Sequence, residues 1–388
     1  MDSKFIQSPK LRIISIILIV VGIAAIVFGF LSNPQRTWAN VLISNYYFIS
    51  LAIGATFFIA IQAITQSGWS SMFKRIPEAI GGYLPYAAVL MLLFVLFGAH
   101  SVYHWAHEEI VKSDVLLTHK SPYLNMPFFI TRFVIFFALW ILLTTILRRF
   151  SLKEDQYGGI EYFEKSEFVS KVYIFVLALT FSLATFDWTM SIDTHWFSTI
   201  YALKNFMSAF FHGSAAIILI VLLLNKSGHF KELNSSHLHD FSKYLFMLAT
   251  IWGYMWFSQY FLIWFSNLPE ETVYYVQRVG GEWRLTFYSE IVINWMFPFL
   301  FLMLNKIAKN KTALLTTSIV VLIGFWIDIY MQVMPGTTGI NSIGIIEIGT
   351  YCGFLGIFIF AVSRALSQAN LVPKNHPYLE ESILHKLH

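Results

Sequence analysis

Ten long apolar runs succeed one another along this chain, and nothing else in the sequence limits its fold as much. They lie near 11–32, 41–66, 79–105, 125–150, 167–190, 198–225, 241–266, 283–305, 312–334 and 345–368. About 20 residues of helix cross the roughly 30 Å hydrocarbon core of a bilayer. In lipid each segment must satisfy its own backbone groups, so a spanning segment is a helix or part of a closed barrel. The apolar/polar alternation of a barrel strand is missing from these runs, which leaves helices. The chain is 57% hydrophobic and only 12% charged over 388 residues, a composition that excludes a soluble enzyme. No phosphate-binding glycine loop or nucleophile motif stands out, and nucleic acid is not an expected partner. The first run, Leu11 to Leu31, is of spanning length, carries Gly22 and Gly29, and has no small-residue cleavage site. It reads as a span rather than a signal peptide. The expected fold is therefore an all-α polytopic membrane protein with about ten transmembrane helices.

The basic residues give an orientation. Nineteen of the 26 Lys and Arg lie at the ends of runs on the side of the N-terminus. Five lie on the other side: Arg36, Lys112, Lys120, Arg278 and Arg284. Arg132 and Lys204 fall inside runs. By the positive-inside rule both termini are expected in the cytoplasm.

The chain also repeats itself weakly. Gln66-Ser-Gly-Trp69 returns as Lys226-Ser-Gly-His229, and Asn45 as Asn205, at an offset of 160. Gly82-Tyr-Leu84 returns as Lys243-Tyr-Leu245 at 161, and Glu108-Glu109 as Glu270-Glu271 at 162. Asp187 and Met190 return as Asp328 and Met331 at 141, the shift matching the longer loop after the fourth run. An even number of helices per unit keeps both units in one orientation. One membrane domain over 1–388 is expected. It contains two four-helix bundles as parallel repeats, 41–190 and 198–334, flanked by peripheral helices at 11–32 and 345–368 and a cytoplasmic tail, 369–388.

Charges inside a bilayer are costly and point to function or to pairing. Here they are His100 and His104 in the third run, Arg132 in the fourth, Asp187 in the fifth, Lys204 and His212 in the sixth, Glu290 in the eighth and Asp328 in the ninth. All but His212 fall within about two helical turns of the outer end. His212 falls near mid-membrane. Asp193 and His195 occupy the short outer loop after the fifth run. This clustering predicts an outward-facing proton or quinol-pocket site, with Asp187, Asp328 and Glu290 as proton carriers. Arg132 and Lys204 would tune them, His212 would lead toward the membrane middle, and Asp193 with His195 would form the exit. The plain alternative is that these charges pair among themselves, with Arg132 and Asp187 as a structural ion pair and Asp193 as a helix cap. Trp188 and Trp196 are expected in the aromatic belt at the interface. His237 and His239, in Glu232–Asp240, are expected in a solvated loop rather than a metal site. The different depths of His100 and His212 do not suit a bis-histidine haem. The single cysteine, Cys352, leaves no internal disulfide, Cys-ligated zinc or iron–sulfur cluster in the chain.

The run Phe186-Asp-Trp-Thr-Met-Ser-Ile-Asp-Thr-His-Trp-Phe-Ser-Thr199 resembles a signature of the membrane subunits of bacterial alternative complex III, a quinol:cytochrome c (or oxidase) oxidoreductase. Ser121-Pro-Tyr-Leu-Asn-Met-Pro-Phe128, Asn234-Ser-Ser-His-Leu-His-Asp240, Trp256–Trp264, Asn267-Leu-Pro-Glu-Glu271, Pro335 and Glu347-Ile-Gly349 agree with it. The resemblance runs over nearly the whole length and looks closest to the ActF type, with NrfD-type and polysulfide-reductase subunits as wider relatives. It implies two four-helix bundles plus two flanking helices. It also implies a complex with an ActC-like NrfD paralogue that oxidises quinol, with iron–sulfur and multihaem cytochrome c subunits holding the clusters and haem c, and a role here in proton translocation through polar half-channels. No cofactor is then bound by this chain. A quinone or quinol pocket, and a terminal oxidase as a further partner beside membrane lipid, stay open. So do two other classes: a secondary transporter with a central polar site, and a purely structural anchor.

Overall fold

The computed structural model describes residues 4–386. Residues 1–3 and 387–388, the ends of the expected domain and tail, lie outside the described residues. The long helices are named α1 (Pro9–Ser32), α2 (Pro34–Ile64), α3 (Arg75–Phe97), α4 (Met126–Tyr157), α5 (Glu161–Trp188), α6 (Thr199–Lys226), α7 (Ser235–Ser266), α8 (Gly281–Leu302), α9 (Lys311–Thr337) and α10 (Ile345–Ser367). Among the described residues there are helices, loops and one isolated β-bridge, Lys4 with Asn370, which brings the two terminal segments together. Nine of the ten helices are long and apolar enough to cross a membrane. The tenth, α7, spans 32 residues, but its Trp, Tyr, Ser and Gln residues dilute its apolarity.

Helices α2 and α6 are the most enclosed and cross at a pair of glycines. A Cβ on Gly54 would lie 1.9 Å from the Ala209 carbonyl oxygen, and one on Gly213 would lie 2.8 Å from the Ala55 nitrogen. Where lipid offers no hydrophobic drive between helices, such small-residue contacts let backbones approach closely. The same device joins α1 to α10, where a Cβ on Gly22 would fall 2.2 Å from Gly353 Cα. The rest of α1 turns Ile13, Ile17, Val20, Ile23 and Val27 outward. A hydrocarbon surround suits this face.

Proline and asparagine set the helix ends. Asn125 caps α4 by accepting from the Phe128 N–H, and Pro127 sits in its first turn, so Asn-Met-Pro is a helix start. In α8, Pro298 has no N–H and its ring crowds the Asn294 carbonyl. The helix responds with a π turn over Val292–Met296.

Three sequence expectations change. Helix α3 ends at Phe97, so His100 and His104 lie beyond it, exposed, among short turns. Trp188 and Trp196 are 1% and 4% exposed and belong to the interior, not to an aromatic belt. Trp188 packs against Tyr46, Phe137 and Trp140. His237 is no loop residue: it lies in the first turn of α7, buried, with its Nε2 2.9 Å from the Ser382 carbonyl. The tail is folded too. Ser382 Oγ donates to the Trp69 carbonyl at 2.7 Å, and the Lys374 and Asn375 N–H groups donate to Asp155.

Candidate functional site

Helical spacing builds the site. Lys204, Ser208 and His212 follow at steps of four on α6, Glu290 and Asn294 on α8, and Asp328 and Gln332 on α9. Each set therefore lies on one face, one turn apart. The three faces meet in the interior. Lys204 Nζ lies 2.6 Å from Asp328 Oδ1 and 3.2 Å from Glu290 Oε1. Asp328, which is 0% exposed, also accepts from Ser208 Oγ and Gln332 Nε2, both at 2.9 Å. Tyr201 O–H in turn donates to Gln332 Oε1 at 2.7 Å. One turn further along, His212 Nε2 faces Asn294 Oδ1 at 3.0 Å, and its ring stacks on Phe325 with centroids 4.3 Å apart. Asn294 Nδ2 donates to the Gly324 carbonyl, which fixes the amide orientation. Ser208 Oγ lies 3.3 Å from His212 Nδ1, so one hydroxyl touches both the imidazole and Asp328.

The second charged centre is a closed pair. Arg132 grips Asp187 through Nε at 2.7 Å and Nη2 at 3.0 Å. Its Nη1 donates to the Tyr123 carbonyl at 3.0 Å, and its guanidinium lies against the Tyr123 and Phe128 rings. A two-pronged contact of this kind positions both partners and leaves the carboxylate fully matched. The expected proton carriers therefore do not form one cluster. Glu290 and Asp328 share Lys204, whereas Asp187 is held apart by Arg132.

The expected exit residues also separate. Asp193 Oδ2 accepts from Arg278 Nη2 at 2.8 Å, while His195 Nε2 lies 2.7 Å from Asp114 Oδ2. Both line a vestibule of about 830 Å³, together with His104, Lys120 and Tyr274. His100 is not among its lining residues and receives His107 Nε2 on its carbonyl oxygen. The Leu117 N–H holds the Asp114 carboxyl below its ordinary range, with the Leu116 N–H and His195 adding to it. Burial pulls the Lys120 ammonium down. Burial pushes the Tyr274 phenol up to about 12, against the opposing charge of Arg278.

Arg278 had looked like a surface cation and is 1% exposed. It lies on the surface helix Pro269–Val279, and its Nε donates to the Met331 carbonyl at 2.9 Å. That carbonyl is free because Pro335, four residues on, has no N–H to give it. The guanidinium also lies 3.4 Å from the centre of the Tyr274 ring. Ser208, Asn294 and Gln332 were readable from their four-residue steps. Arg278 was not, since its acceptor exists only because of a proline 57 residues later.

A further ionic cluster lies at the end of the helices where the terminal segments meet. Arg75 binds Glu78 at 2.7 Å and Asp155 at 2.5 Å, and Lys74 binds Glu154 at 2.9 Å. His376, from the tail, lies 3.9 Å from Glu154, and burial with the charges of Lys74 and Arg75 lowers it to about 2. Among the described residues no group of three or more His, Cys, Asp or Glu is placed to hold a metal ion. The chain matches no protein-family model and no curated protein.

Proposed function

We propose that this protein is an integral membrane subunit of a quinol:cytochrome c (or oxidase) oxidoreductase complex, and that it takes up and releases protons at the Lys204–Glu290–Asp328 centre. Charge arithmetic carries the reading. One lysine serves two buried carboxylic groups, both within 3.2 Å of its Nζ. Such a trio is neutral only with one additional proton, and burial makes neutrality matter. The Arg132–Asp187 pair is already balanced and serves as structure, as a plain anchor would have it. The chamber beside the trio, about 20 Å³, has room for about one water molecule, which favours a proton over a larger solute.

Quinol oxidation frees two protons and two electrons. With one cysteine, electron transfer falls to partner subunits: iron–sulfur, multihaem cytochrome c and an ActC-like paralogue. The vestibule, with Trp196 and Phe197 beside the His195–Asp114 pair, suits a quinol head group. The distribution of Lys and Arg supports cytoplasmic termini, and the resemblance to alternative complex III subunits implies a bacterial inner membrane. Two observations favour the parallel repeat of 41–190 and 198–334: α2 and α6 cross at Gly54 and Gly213, and Asp187 and Asp328 each face a cation.

The test is Asp328→Asn in the reconstituted complex, with quinol oxidation and proton release measured together. Fewer protons released per electron is the expected result. Wild-type values for both would remove the trio from the pathway. A chain that purifies without haem or iron–sulfur absorbance would remove the respiratory reading.

A further inference from the structure

Two cavities lie on either side of the surface helix Pro269–Val279. The large vestibule has Asp193, His195, Trp196 and Gln277 in its wall, and the small chamber has Lys204, Glu290, Asp328 and Met331. Among the described residues, one side chain belongs to both walls, Tyr274. Its ring stacks on Trp196 with centroids 3.9 Å apart and planes 13° from parallel. The Arg278 guanidinium lies 3.4 Å from the ring centre. Two groups at such distances cannot share one face, so the phenol ring is clamped between them. The clamp is anchored at both ends: Arg278 is tied to Asp193 and to the Met331 carbonyl, and Gln277 Nε2 donates to the Pro335 carbonyl at 2.6 Å.

We propose that Tyr274 is the partition between the vestibule and the charged chamber, a positioning residue that sets whether water reaches Lys204, Glu290 and Asp328. The ring closes the chamber while Trp196 and Arg278 hold it, and exchange between the two spaces requires it to swing out of that clamp. Its role in proton handling rests on the function proposed above. Its role as a barrier does not, and the experiment reads the barrier alone.

The experiment places a single thiol in the chamber wall. Met331→Cys, in a Cys352→Ser background and in native membranes opened to reagent at both faces, is labelled with a small, water-soluble cationic thiosulfonate. Labelling is slow with Tyr274 in place. Adding Tyr274→Ala raises the rate by about tenfold or more, because access limits thiol modification. Tyr274→Phe, which keeps the ring and loses only the hydroxyl, leaves the rate unchanged. Trp196→Leu, which removes one side of the clamp and keeps Tyr274, gives an intermediate rate and serves if the alanine variant does not fold. Equal rates in Met331→Cys alone, with Trp196→Leu and with any folded Tyr274→Ala overturn the proposal. Fast labelling with Tyr274 intact also overturns it. If the rates move as expected while Asp328→Asn leaves proton release unchanged, the partition stands and the proton reading falls.

Discussion

Replacing Arg132 by methionine separates a structural ion pair from a working one. Methionine keeps much of the length and apolar volume and removes the charge. Asp187, 1% exposed, then loses two charge-assisted hydrogen bonds, at 2.7 and 3.0 Å, and the cation it is paired with. Breaking a buried pair from one side costs about 3–5 kcal/mol, because a buried charge is left unmatched. The loss of guanidinium contact with Tyr123 and Phe128 adds about 0.5–2 kcal/mol. Removing both partners in Arg132→Met/Asp187→Leu leaves no unmatched charge, and an apolar replacement of a buried pair is often neutral or better. The double variant should therefore recover at least about 2 kcal/mol of the single variant's loss, a coupling well above that of independent sites. Reversible unfolding of the purified protein in mild detergent, followed through the four variants of the cycle, measures it. A single variant costing under about 1 kcal/mol, or a double variant no better than the single, would refute the reasoning and imply that Asp187 readily takes a proton in place of its partner.

Two more predictions concern the ends of the molecule. His376 is held neutral down to about pH 2, whereas an unfolded histidine takes its proton near pH 6.5. Below pH 6.5 the unfolded chain binds the extra proton and stability falls as pH falls; above it the residue contributes no slope. His376→Asn, whose amide oxygen can still accept from the Tyr378 N–H, should flatten the change in unfolding midpoint between pH 7.5 and pH 5, and an unchanged slope would rule His376 out as its source. Pro335→Ala restores an N–H that competes for the Met331 carbonyl, so Arg278 loses an anchor; amide exchange should quicken over 269–279, and undiminished protection there would show that the anchor lies elsewhere.

The helices were legible because lipid leaves few alternatives: length and apolarity alone placed them, to within a few residues at most ends. The four-residue steps of Lys204, Ser208 and His212 put them on one face of a helix, but packing decides which way that face turns. What spacing cannot report is where a helix stops once its residues remain apolar. Ala99, Val102 and Trp105 continue the composition of α3 past Gly98, yet they sit in short turns, and this moved His100 and His104 out of the span. Tryptophan was ambiguous for a related reason. An indole suits an interface and a core equally well, and only the rings of Tyr46, Phe137 and Tyr274 beside them made Trp188 and Trp196 interior. Pairing was the least legible, since Arg278 and Asp193 lie 85 residues apart and look like ordinary loop charges.

The folded tail has a consequence in time. Ser382 ties together Trp69, Met72 and His237, while the tail residues 374 and 375 hold Asp155. These partners leave the ribosome long before residues 370–386 exist, and a chain is made from its N-terminus. The segments they belong to must wait, unfastened, until residues 370–386 have been made. Whatever assembles on that end of the molecule therefore meets a finished surface only on a chain that carries residues 370–386, and a chain cut short before residue 370 presents an open one.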